Sequence, residues 1–202
     1  MSPPSAFPLW PSRLVRTLAV LTTVALCLSG CGKPFNVKPR TELPRANYTA
    51  TASLNSVTLQ ADPIFNEDLL YETFDANLIM AGVLPVRVRL TNSSQQSLVL
   101  KKSRFEIRSA GGRKFKSASG RNAFKRVLSY YGISTYNKAG YKESLEDFAG
   151  YAFDAKAPLP AQESREGIVF FFVPPEASRE AGLTLRFRMP DGKAAPIELK
   201  LN

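Results

Sequence analysis

Hydrophobic and polar positions alternate with a period of two along much of the chain. Val57, Leu59 and Ala61 alternate with Thr58 and Gln60; Val86, Val88 and Leu90 with Arg87, Arg89 and Thr91; Leu183, Leu185, Phe187 and Met189 with Arg186 and Arg188. Successive side chains of a strand point to opposite faces, so these segments predict strands with one face on a core and one in water. Leu98 and Leu100 follow the turn-rich stretch 92–97 and predict another strand. Phe105 and Ile107 precede Ala110-Gly111-Gly112, which predicts a hairpin returning through Phe115. From Gly167 to Val173 the chain is apolar on both faces and is stopped by Pro174-Pro175, the pattern of a central strand. A turn at Pro190-Asp191-Gly192-Lys193 then leads to Ile197, Leu199 and Leu201, an edge strand that closes the chain.

Three stretches depart from this period. Asn66 is placed to cap a short helix through Leu69, Leu70 and Thr73. Asn122 is placed to cap another, with Phe124, Val127, Leu128 and Tyr131 at helical spacing and Gly132 as its stop; Ser119-Gly120 before it reads as a turn. Ser144 to Ala149 predicts one or two further turns. About seven short strands separated by turn signals point to an all-β fold, an antiparallel immunoglobulin-like β-sandwich with short helical insertions on its rim.

The N-terminal residues have a different character. Arg13 and Arg16 are the only charged side chains before the apolar run Leu18 to Leu28. A run of about a dozen residues is short of the roughly 20 that a membrane-crossing helix needs, so it predicts a cleaved signal peptide. It ends in Leu28-Ser29-Gly30-Cys31, which resembles the lipobox of bacterial lipoproteins at all four positions. The resemblance implies cleavage before Cys31 and covalent lipid on its sulfur. It also implies a home in the cell envelope. In enteric-type bacteria an Asp after the lipidated cysteine holds such proteins at the inner membrane, so Gly32 points to the outer membrane, facing the periplasm, for a Gram-negative source; a Gram-positive source would place the chain on the outer surface of the cell membrane. Residues 1–30 are then the leader, 31–52 a flexible tether marked by Pro34, Pro39 and Pro44, and 53–202 the sandwich, with its helical insertion at about 121–153. Extended at about 3.1 Å per residue, such a tether would hold the domain several tens of ångströms off the bilayer.

A second resemblance spans about Ile79 to Leu201. Gly82-Val-Leu-Pro-Val-Arg-Val-Arg-Leu-Thr-Asn92, Phe105-Glu-Ile-Arg with Gly111-Gly112, Ala123-Phe-Lys-Arg-Val, Leu159-Pro160 and Arg165-Glu-Gly-Ile-Val-Phe-Phe171 with Pro174 are similar to a class of envelope lipoproteins of unassigned role. That class resembles the immunoglobulin-like, telokin-type domains of exported bacterial proteins. It implies a β-sandwich and transfers no catalytic residues.

Composition narrows the chemistry. The chain has no His, its one Trp is Trp10, and its cysteines are Cys27 and Cys31. The mature part therefore cannot assemble a Ser-His-Asp or Cys-His site or a His/Cys zinc site. No cofactor is expected beyond the lipid on Cys31. Glu143, Glu146, Asp147 and Asp154 cluster in sequence and could in principle serve a carboxylate-dependent glycan hydrolase or lyase; the same spacing describes a solvated helix face.

Charge is more informative. The formal net charge is +10, and Lys101, Lys102, Arg104, Arg108, Arg113, Lys114, Lys116, Arg121, Lys125 and Arg126 face only one acid, Glu106, in the same stretch. Lys101, Lys102, Arg104, Arg108, Arg113, Lys114 and Lys116 are the candidate surface for anionic lipid or an envelope polymer. Lys and Arg also protect exposed strand edges, which is the plainer reading. Export removes nucleic acid as a partner. Tyr130, Tyr131, Tyr136, Tyr141 and Tyr151 fall in one insertion. Tyr130, Tyr136 and Tyr141 are candidates for stacking on a ligand or on another envelope protein, the alternative being that they pack the insertion onto the sandwich. Together the residues read as a non-enzymatic binding or structural module anchored to a membrane through lipid.

Overall fold

A computed structural model describes residues 32–42, 45–134, 137–190 and 194–201. The leader, Cys31, Tyr136 and the 191–193 turn lie outside the described residues.

Eight strands form among the described residues: β1 (Ala50–Leu54), β2 (Val57–Pro63), β3 (Val83–Asn92), β4 (Arg104–Arg108), β5 (Lys114–Ala118), β6 (Ser164–Phe172), β7 (Thr184–Arg188) and β8 (Ile197–Lys200). All neighbours pair antiparallel, in the order β1-β2-β3-β6-β5-β4-β7-β8. Strand β5 joins the two halves. Lys114 to Lys116 pair with β4, while Ser117 and Ala118 pair with Phe171 and Phe170 of β6. The sheet folds over at this strand and brings β1 beside β8. The chain is thus the antiparallel β-sandwich that the alternation predicts, with leaves β1-β2-β3-β6 and β5-β4-β7-β8.

The alternating residues fill the space between the leaves. Leu59, Val86, Val88 and Leu90 from one leaf meet Ile107, Leu185, Phe187 and Leu199 from the other, all buried. At about 25 cal/mol per Å² of apolar surface removed from water, this interior is the main source of stability. Leu98 and Leu100 do not form a strand. Leu98 makes one bridge to Leu159, and the chain turns at once, with Lys102 at φ 76° and the Ser103 amide donating to Leu100 O at 2.8 Å.

Helix α1 (Glu67–Phe74) starts at Asn66, whose Oδ1 accepts from the Leu69 amide at 3.0 Å, as predicted. Helix α2 (Gly120–Tyr130) is capped by Ser119 and not by Asn122; the Asn122 amide donates to Ser119 Oγ at 3.2 Å. The turn reading of Ser119-Gly120 missed a helix start because Gly120 has a packing role. A Cβ there would stand 3.0 Å from Ala149 Cα on helix α3 (Lys138–Gly150), so the small residue lets the two helices touch. The 13 residues of α3 exceed the one or two predicted turns, since Gly140 and Ser144 belong to its buried stripe without looking apolar. A short α4 (Pro175–Ser178) follows β6.

Helices α1 to α3 are not on the rim. They form a third layer on the outer face of β3 and β6, over a second core that includes Phe74, Val83, Phe124, Phe148, Ile168 and Phe170. Phe148 stacks on Phe170 at 5.1 Å. This explains why β6 is apolar on both faces: Val169 and Phe171 point into the sandwich, Ile168 and Phe170 into the helical layer.

The expected flexible tether is also corrected. Residues 33–42 lie as a strap across the helical layer. Phe35 is 4% exposed, 6.0 Å from the rings of Phe124 and of Tyr131. Ser144 Oγ donates to Phe35 O at 2.9 Å, the Lys38 amide to Thr73 O at 2.8 Å, and the Tyr151 hydroxyl to Lys38 O at 2.5 Å. Arg40 Nη2 donates to Glu166 O at 2.6 Å. Scattered prolines and basic residues concealed two apolar anchors, Phe35 and Val37, that the helical layer buries.

Candidate functional site

The outer face of the β5-β4-β7-β8 leaf carries a groove of about 550 Å³. Strand alternation builds it. With Phe105 and Ile107 turned inward, Arg104, Glu106 and Arg108 of β4 must point out. Register then sets Lys116 beside Glu106 and Lys114 beside Arg108 on one side, and Arg188 beside Arg104 and Arg186 beside Glu106 on the other. Six cations, Arg104, Arg108, Lys114, Lys116, Arg186 and Arg188, line the groove against the single carboxylate of Glu106.

An ion-pair chain orders the floor. Arg186, its side chain 11% exposed, donates from Nε to Glu198 Oε1 at 2.6 Å and has Nη1 3.6 Å from Glu106 Oε1. Glu106 also accepts from Arg108 Nε at 2.8 Å. That hydrogen bond holds the Glu106 carboxyl below its ordinary value of 4.5, with the positive charges of Arg108, Lys114 and Arg186 adding to it and partial burial opposing. Arg104, Lys114, Lys116 and Arg188 are exposed and make no ion pair within 4.0 Å with a carboxylate among the described residues.

Of the candidate cations, the fold brings Arg104, Arg108, Lys114 and Lys116 together. Lys101 and Lys102 stand in the exposed turn before β4, and Arg113 pairs with Glu180 beyond the hairpin turn. Neither group lines the groove. Arg121, Lys125 and Arg126 ride on α2 in the helical layer, where Arg126 Nε donates to Ala81 O at 3.1 Å. Arg186 and Arg188 complete the site but were not among the candidates. Their alternation with Leu185 and Phe187 marks them as outward, yet only the β4–β7 register places them beside Arg104 and Glu106.

The tyrosines separate. Tyr151 is buried at 2% exposure, whereas Tyr141 packs edge-on against Phe124 at 5.6 Å and stays partly exposed. Tyr130 is 50% exposed, against Tyr131 at 5.1 Å. The Tyr131 hydroxyl accepts from the Asn77 amide at 2.9 Å; its pKa is pushed up to about 12, first by burial and next by a hydrogen bond with Tyr71.

Three of the four clustered acids lie on α3 and face solvent. Glu143 and Asp147 meet Lys33 at 2.6 and 3.5 Å, and Glu146 meets Lys142 at 3.8 Å. Asp154 Oδ1 accepts from the Lys156 amide at 2.8 Å. Glu143 and Asp147 thus share Lys33, while Glu146 and Asp154 have other partners. Among the described residues no three His, Cys, Asp or Glu side chains gather as metal ligands, and no helix is long and apolar enough to cross a membrane.

A smaller pocket of about 200 Å³ lies on the other leaf among Arg40, Arg45, Tyr48, Arg87 and Glu166. Several of the charges in and beside it are engaged: Arg87 with Asp62 at 2.6 Å, Arg89 with Glu166, and Arg40 with the Glu166 carbonyl. Arg89 also covers the Tyr48 ring at 4.8 Å. These contacts tie the segment before β1 to the sheet.

No protein-family model matches the chain, and no curated protein matches it. Among solved structures it is similar to a functionally unknown protein from Listeria monocytogenes EGD-e, at 9% identity over 76% of this chain and 82% of that one, with a TM-score of 0.40. It is also similar to an uncharacterized beta-sandwich protein from Clostridium difficile 630, at 13% identity over 83% of this chain and 97% of that one, with a TM-score of 0.36.

Proposed function

We propose that this protein is a non-enzymatic envelope lipoprotein, anchored through lipid on Cys31, whose basic groove binds an anionic polymer of the envelope. One observation carries the binding role: Arg104 and Arg188 stand directly opposite each other across β4 and β7, make no ion pair with a carboxylate among the described residues, and share the groove with Lys114 and Lys116 farther along β5. Like charges directly opposite in a sheet are destabilising, where opposite charges would contribute roughly 0.2–1 kcal/mol. A bound oxyanion removes that cost. Guanidinium groups bind phosphate through paired N–H donors, and Glu106 and Glu198 hold Arg186 in place beneath them.

The test is retention of the mature chain on immobilised envelope polysaccharide and on polyphosphate over a salt gradient. Lys114→Glu combined with Lys116→Glu elutes at lower salt than the parent; elution at the same salt removes the groove as the binding surface. The anchor is tested separately, since Cys31→Ser releases the protein from membranes if lipid holds it there.

A further inference from the structure

The strap changes where the domain stands. Gly32 is against α3: a Cβ on Gly140 would be 3.3 Å from the Gly32 carbonyl oxygen and from Lys33 Cα. Lys33 pairs with Glu143 and Asp147, and Phe35 is buried. Cys31 is the next residue after Gly32 in sequence. One peptide unit spans about 3.8 Å between Cα atoms, so an acylated Cys31 leaves almost no slack between the bilayer and α3. The surface around that exit point must then lie at the headgroups.

That surface carries exposed aromatic side chains. Tyr131, 37% exposed, is 6.0 Å from Phe35, three residues beyond Gly32. Tyr130, 50% exposed, packs on Tyr131, and Tyr71, 51% exposed, is near enough to bear on the Tyr131 hydroxyl. Tyrosine combines an apolar ring with a polar hydroxyl and is enriched where hydrocarbon meets water. Rings that the groove does not use gain a role there.

We infer that Tyr71, Tyr130 and Tyr131 form a membrane-contact face that seats the helical layer on the bilayer holding the Cys31 lipid; this rests on the lipid-anchor reading above. The basic groove is on the far leaf of the sandwich. Sheets pack about 10 Å apart and a helical layer adds about another 10 Å, so the groove opens away from its own membrane. Its ligand is therefore presented from the distal side and is not the headgroup layer beneath the protein.

Trp10 being the only tryptophan and lying in the leader, the mature chain offers a dark background for a single reporter. Tyr130→Trp, Tyr71→Trp and Lys116→Trp are purified as the processed full-length product. Each is reconstituted in phosphatidylethanolamine and phosphatidylglycerol vesicles with and without brominated acyl chains. The first two reporters shift to the blue and lose most of their emission to the brominated lipid, while Lys116→Trp is unchanged. If the protein floats with the vesicles but Tyr130→Trp and Tyr71→Trp stay as bright as Lys116→Trp, the seating face is wrong although the anchor holds. If the protein does not float at all, the anchor itself is wrong and the seating falls with it.

Discussion

Phe35→Ala should free the strap while leaving the sandwich folded. The ring is 4% exposed and meets Phe124 and Tyr131 edge-on. Truncating a buried Phe to Ala costs about 3–5 kcal/mol. The remaining strap contacts include the buried Val37, the hydrogen bonds of Phe35 O, Lys38 and Arg40, and the Lys33 pairs with Glu143 and Asp147, which are screened by solvent. The strap contributes Phe35 and Val37 to the edge of the helical-layer core and nothing to the sandwich core, so the change should appear as local release more than as global unfolding. Trypsin reads this at Arg40, whose guanidinium donates to Glu166 O when the strap is down. When opening and closing outpace cleavage, the cutting rate follows the open population, so 3 kcal/mol corresponds to a rise of roughly 100-fold. Cleavage at Arg40 in the variant within about threefold of the parent would refute the docked strap, since so small a change corresponds to well under 1 kcal/mol.

Three further outcomes follow from particular residues. Gly167→Ala would put a Cβ 2.5 Å from Phe153 Cα, and Phe153 is fixed there by its amide donating to Ile168 O at 2.9 Å; a loss of about 3 kcal/mol or more is expected in urea unfolding. Ser119→Ala should cost about 1 kcal/mol as a lost helix cap, whereas Asn122→Ala, already inside α2, should change stability by less than about 0.5 kcal/mol in the same assay. Glu106 is held below 4.5 in the folded chain, mainly by Arg108; its contribution is thus fully present above the ordinary carboxylate value and disappears as pH falls through the depressed one. In melting curves taken from neutral pH down through that range, Glu106→Gln should flatten the acid-side fall.

Much of the sandwich was legible because its information is local. A half-buried strand states its own inward face, so β2, β3, β4, β7 and β8 could be read from alternation, β6 from its unbroken apolar run, and the β4–β5 hairpin from Gly111-Gly112. The helical layer was legible only in part. Asn66 and the stripe of Phe124, Val127 and Leu128 announced helices, but nothing nearby in sequence says that these cover β3 and β6. The same limit applies to the groove. Lys114 and Lys116 announce themselves as a basic run, while Arg186 joins them through the β4–β7 register, between segments about 80 residues apart, a non-local pairing that patterns within one strand do not encode. Phe35 and Val37 were obscured by their company of prolines and lysines.

The strap is made early, yet its partners come late: Phe35 O waits for Ser144, 109 residues on, and Arg40 for Glu166, 126 residues on. Its contacts with α3 and β6 therefore cannot form until most of the domain has been synthesised. On the lipid-anchor reading proposed above, an enzyme acting at Cys31 would work beside an undocked strap early and a docked one afterwards. Folding would then set the period in which that residue is easiest to reach.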